Sequence, residues 1–370
     1  MMEKSKVYYT SMRAKVGDSL LDKLARLIKK AGIGNIDFNG KYVAVKIHFG
    51  EPGNLAYLRP NYAKTVCDVI KELGGKPFLT DCNTLYVGGR KNALDHLDSA
   101  YVNGYNPFQT GVHTIIADGI KGTDEILIPV EGGTYVKEAK IGRALMDADV
   151  IISMNHFKGH ECAGFGGALK NLGMGGGSRA GKMEMHSAGK PVVNEELCVS
   201  CKACAKVCAH DAPTFTSGKA YIDHNKCVGC GRCIGVCPTD AVEASMDEKG
   251  EILNAKIAEY TKAVINGRPN FHISLVIDVS PNCDCHGEND VPIVPDIGMF
   301  ASFDPVALDS ACAEAVLNAP IMAGSILDEV EHIHGDHFTD VAPSTAWKTQ
   351  LTHAEKIGIG SMEYELIEVK

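Results

Sequence analysis

The chain has 370 residues, 45% of them hydrophobic, and a net charge of -9, so it can bury a substantial core, and its length argues for two or three domains. No run of Lys and Arg offsets the acidic balance, which sets aside nucleic acid as a partner. The stretch to Arg13 is polar and mixed in charge, unlike a secretory signal, and no apolar run approaches the roughly 20 residues of a membrane span, so a cytoplasmic protein is expected.

Strand-like and helical patterns alternate along the chain. Tyr42 to Phe49 reads as a strand, Pro60 to Leu73 as a helix, Pro77 to Thr80 as a strand, Lys91 to Val102 as a helix and Thr114 to Ala117 as a strand. Tyr135 to Met146 reads as a helix leading into the strand Val150 to Met154. After residue 250 come helix Ala255 to Ile265, strand Ile273 to Val279 and helix Pro305 to Leu317, with Asp304 placed to cap the last and Pro305 at its first position. Cys67 and Cys312 fall within helical patterns and read as core residues. The alternation predicts an α/β protein with a mostly parallel sheet and helices on both faces.

Between Pro191 and about Ser245 the periodicity stops, and Cys, Gly and Pro crowd a stretch too short to hold a core without staples. The expected organisation is therefore an α/β domain in two parts, 1–190 and 246–370, interrupted by a small α+β module at 191–245. Eight of the fourteen cysteines lie between Cys198 and Cys237. In a chain with no export signal, such cysteines point to metal ligation rather than disulfides.

The two runs are Cys198-x2-Cys201-x2-Cys204-x3-Cys208 and Cys227-x2-Cys230-x2-Cys233-x3-Cys237-Pro238, each cysteine recurring 29 positions later. This is the spacing of ferredoxins that carry two [4Fe-4S] clusters, in which the fourth cysteine of each run ligates the other cluster. It predicts Cys198, Cys201, Cys204 and Cys237 around one cluster, and Cys227, Cys230, Cys233 and Cys208 around the second. Zinc is the competing ligand, but its usual cysteine spacings differ. Ala209 follows Cys208 where a Pro follows Cys237, which alters a turn and no ligand. Lys202, Lys206, Lys226 and Arg232 lie among the cysteines, either offsetting the charge of the clusters or simply solvated.

Nearly all of the chain resembles the DUF362 family of uncharacterised iron–sulfur proteins, in which a ferredoxin module interrupts an α/β domain. The resemblance rests on Lys46-Ile-His-Phe-Gly-Glu51, Asp81-Cys-Asn-Thr-Leu-Tyr86, His156-Phe-Lys-Gly-His160, Gly166-Gly-Ala-Leu-Lys-Asn-Leu-Gly-Met174, Ser178-Arg-Ala-Gly-Lys182 and Asp304-Pro-Val-Ala-Leu-Asp309. It implies this fold and the clusters but no particular reaction.

A second site is expected where the strand ending at Met154 runs into His156, Lys158, His160, Glu161 and Cys162, because open α/β sheets bind ligands at the carboxyl ends of strands. His156 and His160 are candidate metal ligands or proton carriers and Lys170 a candidate anion holder, all three being candidate catalytic residues. The competing reading leaves these His and Lys solvated in a loop and has the glycines from Gly164 to Gly177 only making tight turns. Gly176-x4-Gly181-Lys182 approaches a phosphate loop but has Met183 where a hydroxyl should hold magnesium. Cys283 and Cys285, beside His286 and at the same sheet edge as Cys82 and His156, read either as ligands of a further thiophilic metal or third redox centre or as a pair of unligated thiols in a surface loop. His332, His334 and His337 read as a solvated patch.

The expected function is electron transfer between an external redox protein and a substrate or metal in the α/β part, which would make the chain an oxidoreductase of an anaerobic cytoplasm. The alternatives are a dedicated carrier subunit that docks to a larger redox complex, and clusters that serve only as folding staples.

Overall fold

The computed structural model describes residues 4–85, 88–186, 190–216, 218–246 and 248–370; Tyr86, quoted above, lies outside them. Eight strands build the main sheet: β1 (Ser5–Ser11), β2 (Tyr42–Lys46), β3 (Lys76–Asp81), β4 (Thr114–Ile116), β5 (Val150–His156), β6 (Asn270–Val276), β7 (Gly298–Ser302) and β8 (Tyr364–Glu368). Across the sheet they are ordered β8-β1-β7-β6-β5-β2-β3-β4. β4, β3, β2, β5 and β6 are mutually parallel. β7 is antiparallel to both its neighbours, and β8 runs parallel to β1. This is the mostly parallel α/β sheet expected from the alternation of elements.

The longer helices are α1 (Leu20–Lys30), α2 (Pro60–Glu72), α3 (Ala93–Val102), α4 (Ala168–Gly176), α5 (Arg179–His186), α6 (Gly250–Ile265), α7 (Pro305–Leu317) and α8 (Trp347–Lys356). They cover both faces because the pleat sends alternate side chains opposite ways. Val43, Val45, Val150 and Ile152 pack on one face with Leu24 and Leu27 of α1 and Val66 and Ile70 of α2. Ala44 and Ile151 pack on the other with Leu172 of α4 and Ile257 and Tyr260 of α6. Every residue of β5 is buried, as a central parallel strand requires. Asp304 caps α7, accepting from the N–H groups of Val306 and Ala307, and Cys67 and Cys312 lie in the core as expected.

The chain passes from β2 through α2 to β3 on one side, and from β5 through α4 and α6 to β6 on the other. Strand order therefore reverses between β2 and β5, opening a crevice at their carboxyl ends.

Three expectations need correction. The helix placed at Tyr135 to Met146 is instead an antiparallel ribbon, Glu125–Pro129 with Glu138–Gly142, followed by one helical turn at Arg143–Met146. Ala139 and Ile141 are buried while Glu138 is exposed, a period of two rather than 3.6, and the turn before them is held by the Glu259 carboxylate, which accepts from the N–H groups of Thr134 and Val136 at 2.6 Å each. The glycines of 168–176 do not make turns but lie within α4. Gly173 is needed there because a Cβ would meet the Ile257 carbonyl oxygen and Thr261 Oγ1 of α6. Finally, β1, β7 and β8 had no counterpart among the expected strands.

Residues 191–244 add two antiparallel ribbons, Pro191–Val193 with Val242–Ala244 and Pro213–Thr216 with Lys219–Ile222, and two single helical turns, Ala203–Lys206 and Arg232–Val236. Their small core gathers Cys198, Cys204, Ala220, Ile234, Ala241 and Val242, joined from the α/β part by Leu85 and Met183.

Candidate functional site

The crevice between β2 and β5 closes into a cavity of about 70 Å³ whose walls are crowded with charge. Lys46, the last residue of β2, points in and meets Asp81, the last residue of β3, at 2.8 Å, with both side chains almost fully buried. Burial alone would raise Asp81, but Lys46, His48, His96 and Lys182 hold its carboxyl well below the ordinary range. The same burial pulls the Lys46 ammonium down. Burial opposes both charges, but the charged pair prevails because Asp81 faces the cations around it while Lys46 also donates to Asn171 Oδ1 at 2.8 Å.

Asn171 fixes α4 over the crevice by donating to the carbonyls of Lys46 and Met154 and to Asn155 Oδ1. The start of α4 is held by Asp309 of α7, which accepts from the N–H groups of Ala168 at 2.7 Å and Leu169 at 2.9 Å. Those donors favour the carboxylate, yet burial dominates and pushes Asp309 up from 3.8 to about 7. Its contribution to stability is therefore complete below about pH 3.8 and fades as pH rises through about 7. The gap in unfolding midpoint between wild type and Asp309→Asn should narrow over that window; a gap independent of pH would contradict the assignment.

Across the cavity, Arg90 donates to Glu51 at 2.7 Å and to His48 Nε2 at 2.9 Å. Burial first, and then the Arg90 charge, push His48 well below an ordinary histidine, leaving it neutral to accept. His156, at the end of β5, faces Asp284 with Nδ1 at 2.9 Å and the Ile277 carbonyl with Nε2 at 2.7 Å. Both ring nitrogens are thus engaged within the protein, so His156 holds Asp284 in place. Lys158 meets the same carboxylate at 3.2 Å.

The cations are unevenly matched. Lys46, Lys158 and Arg90 each have a carboxylate, while Lys182 donates to the carbonyls of Gly177 and Gly175 at the end of α4. That ammonium is spent on the chain itself rather than held out for a phosphate. Lys170 has no carboxylate partner among the described residues and lies 3.6 Å from the Cys283 sulfur.

The structure thus brings together His156, His160, Lys170, Cys283 and Cys285 in one cavity, along with Cys82. Lys46, His48, Asp81 and Arg90 line it as well; their importance was not read from the sequence, although Lys46, His48 and Asp81 fall inside the family-like passages quoted above. The histidine patch stands apart, with His332 and His334 exposed.

The cysteine-rich segment shows a second convergence. Cys198, Cys201, Cys204 and Cys237 line one cavity together with Lys202, Phe215 and Thr239. Backbone N–H groups point at these sulfurs: Ala220 donates to Cys198 at 3.4 Å, and the N–H groups of Thr239, Val242 and Ala241 face Cys237. Such donors suit thiolates. In the second run the N–H of Gly229 donates to Cys227 at 3.4 Å. This run also packs on α5: any Cβ on Gly231 or Gly235 would strike Arg179, whose guanidinium donates to the Lys91 carbonyl.

A third cavity, of about 400 Å³, lies between the two regions. Ile234, Val242, Glu243 and Ala244 line one side of it, and Glu161, Cys285 and His286 the other. Cys285 therefore borders both the charged cavity and the cysteine-rich segment.

Among the described residues no helix is long and apolar enough to cross a membrane. The chain is 27% identical over 164 residues to the thylakoid-associated protein sll1697 of Synechocystis sp. (strain ATCC 27184 / PCC 6803 / Kazusa), a match that covers 42% of this chain and 45% of that one. It therefore spans less than half the length of that relative. Solved structures similar to it include the lactate racemase apoprotein of Thermoanaerobacterium thermosaccharolyticum, at 12% identity and a TM-score of 0.37, covering 74% of this chain and 51% of that one. Another is a Thermotoga maritima protein at 13% identity and a TM-score of 0.39, covering 80% and 58%. DUF362, a domain of unknown function, matches residues 43–314. The chain belongs to the DUF362 family.

Proposed function

We propose that this protein is an iron–sulfur electron carrier that passes electrons between an external redox protein and the charged cavity at the β2–β5 crevice. Cys198, Cys201, Cys204 and Cys237 would hold one [4Fe-4S] cluster, and Cys227, Cys230, Cys233 and Cys208 the second. The observation that carries the reading is the convergence of Cys237 with the three cysteines of the other run on one cavity, as the crossed ligation implied by the spacing would require. When bound, the clusters supply one-electron chemistry.

The chain's own residues provide what such a relay needs. Backbone N–H groups directed at the sulfurs stabilise thiolate ligands. Exposed Val199 and Val228, each next to a cluster cysteine, offer an apolar rim to a redox partner. On the inner side, Ile234 and Val242 face the cavity that Cys285 borders. Of Lys158 and Lys170 on the substrate side, only Lys170 lacks a carboxylate partner among the described residues, so a small anion is the class of molecule it would receive.

Reduction of the anaerobically purified chain with a low-potential donor, followed by electron paramagnetic resonance, tests the reading. Signals from two reduced cubanes that a viologen dye reoxidises are expected. Clusters that stay silent under strong reductant would leave them as folding staples and end the electron-transfer assignment.

A further inference from the structure

The Cys283 sulfur has an unusual set of neighbours for a buried thiol. The Lys170 ammonium lies 3.6 Å away with no carboxylate of its own among the described residues. Cys285 and His160 are its other close neighbours, one ligand atom from each of the three residues lying within 4.8 Å of the others. Two cysteines and a histidine at that separation could also grip a metal, so the histidine's protonation decides between the two arrangements.

His160 Nδ1 accepts from the N–H groups of Cys162 at 3.0 Å and Ala163 at 3.1 Å. A ring nitrogen that accepts carries no proton, so the proton of the neutral ring is on Nε2. The nitrogen left for Cys283 is therefore a donor with no lone pair to give a metal. The Lys170 ammonium donates to this sulfur, with the Nε2–H of His160 and the Cys285 thiol close by, and that suits a thiolate. Cys285, and then Lys170 and Lys158, outweigh burial and hold Cys283 well below an ordinary thiol, while Cys285 is raised as the partner that keeps its proton.

We propose that Cys283 and Cys285 form a redox-active dithiol, the two-electron site served by the iron–sulfur centres of this chain. On oxidation the two sulfurs join, Cys285 gives up its proton, and two electrons leave one at a time to oxidised iron–sulfur carriers. On reduction the S–S bond breaks, two electrons return, and Cys285 regains its proton while Cys283 stays a thiolate beside Lys170. The identity of the reductant rests on the reading given under Proposed function, whereas the dithiol itself rests on the geometry around Cys283. The position of Cys285, shared by the charged cavity and the cavity facing the cysteine-rich segment, is where such a couple would have to be. Two one-electron centres also match one two-electron disulfide in stoichiometry.

The test equilibrates the full anaerobic chain with dithiothreitol buffers of graded potential, quenches it in acid, alkylates free thiols and maps them by mass spectrometry. A Cys283–Cys285 disulfide is expected to appear along a two-electron curve in wild type and to be absent from Cys283→Ser and Cys285→Ser, both of which should retain wild-type iron content as evidence of folding. In a reductive titration, wild type poised with the disulfide should take up about two more electrons per chain than Cys283→Ser before its cluster signals saturate. Lys170→Met should slow alkylation of Cys283 in the folded, reduced chain at least tenfold, and Lys170→Arg should restore it. Two alkylatable thiols at every potential would overturn the proposal. So would a stoichiometric non-iron metal present in wild type and lost in Cys283→Ser. A disulfide that forms in a chain without iron would support the dithiol and refute the iron–sulfur reading instead.

Discussion

Cys237→Ala will cost the anaerobically purified chain about four of some eight irons, the content of one cubane, and will expose to alkylation three cysteines that lie far from it in sequence. Cys198, Cys201 and Cys204 share a cavity with Cys237, so losing the fourth ligand should release that set while Cys227, Cys230 and Cys233 stay protected. Cys208→Ala should give the mirror image. Iron counting with differential alkylation reads both outcomes. Release of Cys227, Cys230 and Cys233 in Cys237→Ala would mean that each run ligates its own cluster, and no loss of iron in either variant would end the eight-ligand assignment. The effect should extend to stability, because the core of residues 191–244 is built largely from small side chains and the cysteines proposed as ligands. A segment of that kind would depend on a bound metal to stay folded.

Lys46→Met should be the most damaging change in the α/β part. Lys46 and Asp81 form an ion pair at 2.8 Å with both side chains nearly inaccessible, and removing one member leaves a buried carboxylate uncompensated, at a cost of about 3–5 kcal/mol. Denaturant unfolding of the anaerobic protein measures it. Because its cationic neighbours hold Asp81 below the ordinary carboxylate range, the stability it contributes is present above the unfolded carboxylate value and lost as pH falls through the depressed folded one. The deficit of Lys46→Met should accordingly shrink in strong acid. Asp81→Asn in the Lys46→Met background should recover part of the loss at neutral pH. A Lys46→Met chain as stable as wild type would show that the pair is not buried in solution.

The parts of this protein that stand out in the sequence are those governed by fixed spacing or local rules. The cysteine runs stand out because three ligands on one loop would have to reach three corners of one cube, and the fold brings Cys198, Cys201, Cys204 and Cys237 to one cavity. Asp304 and Pro305 mark the start of α7 because caps and first-turn prolines follow local rules. Local rules fail where a distant partner decides the conformation. The stretch from Tyr135 to Met146 has enough apolar residues to resemble a helix, yet Glu259, far along the chain, ties down its first N–H groups and sends it into a ribbon. Gly173 resembles a turn residue until α6 is seen lying against it.

Lys46 shows the same limit at the site. A lysine ending an apolar strand reads as the point where the strand meets water, but here it is buried because Asp81 and Asn171 are waiting for it. His156 was legible as a site residue but not in its role, since Asp284 and the Ile277 carbonyl engage its two nitrogens from another loop. Cys283 and Cys285 stood out as a pair of soft ligands. What the sequence could not supply was the direction of the hydrogen bonds at His160, which turns the argument from metal toward thiol chemistry.

The two proposed clusters underlie the electron-transfer reading. Mössbauer spectroscopy of iron-57-enriched chain, purified without oxygen and paired with a metal count, tests them most directly. About eight irons per chain, all in [4Fe-4S] environments, is the predicted result. A chain holding two zinc ions and no iron would contradict it.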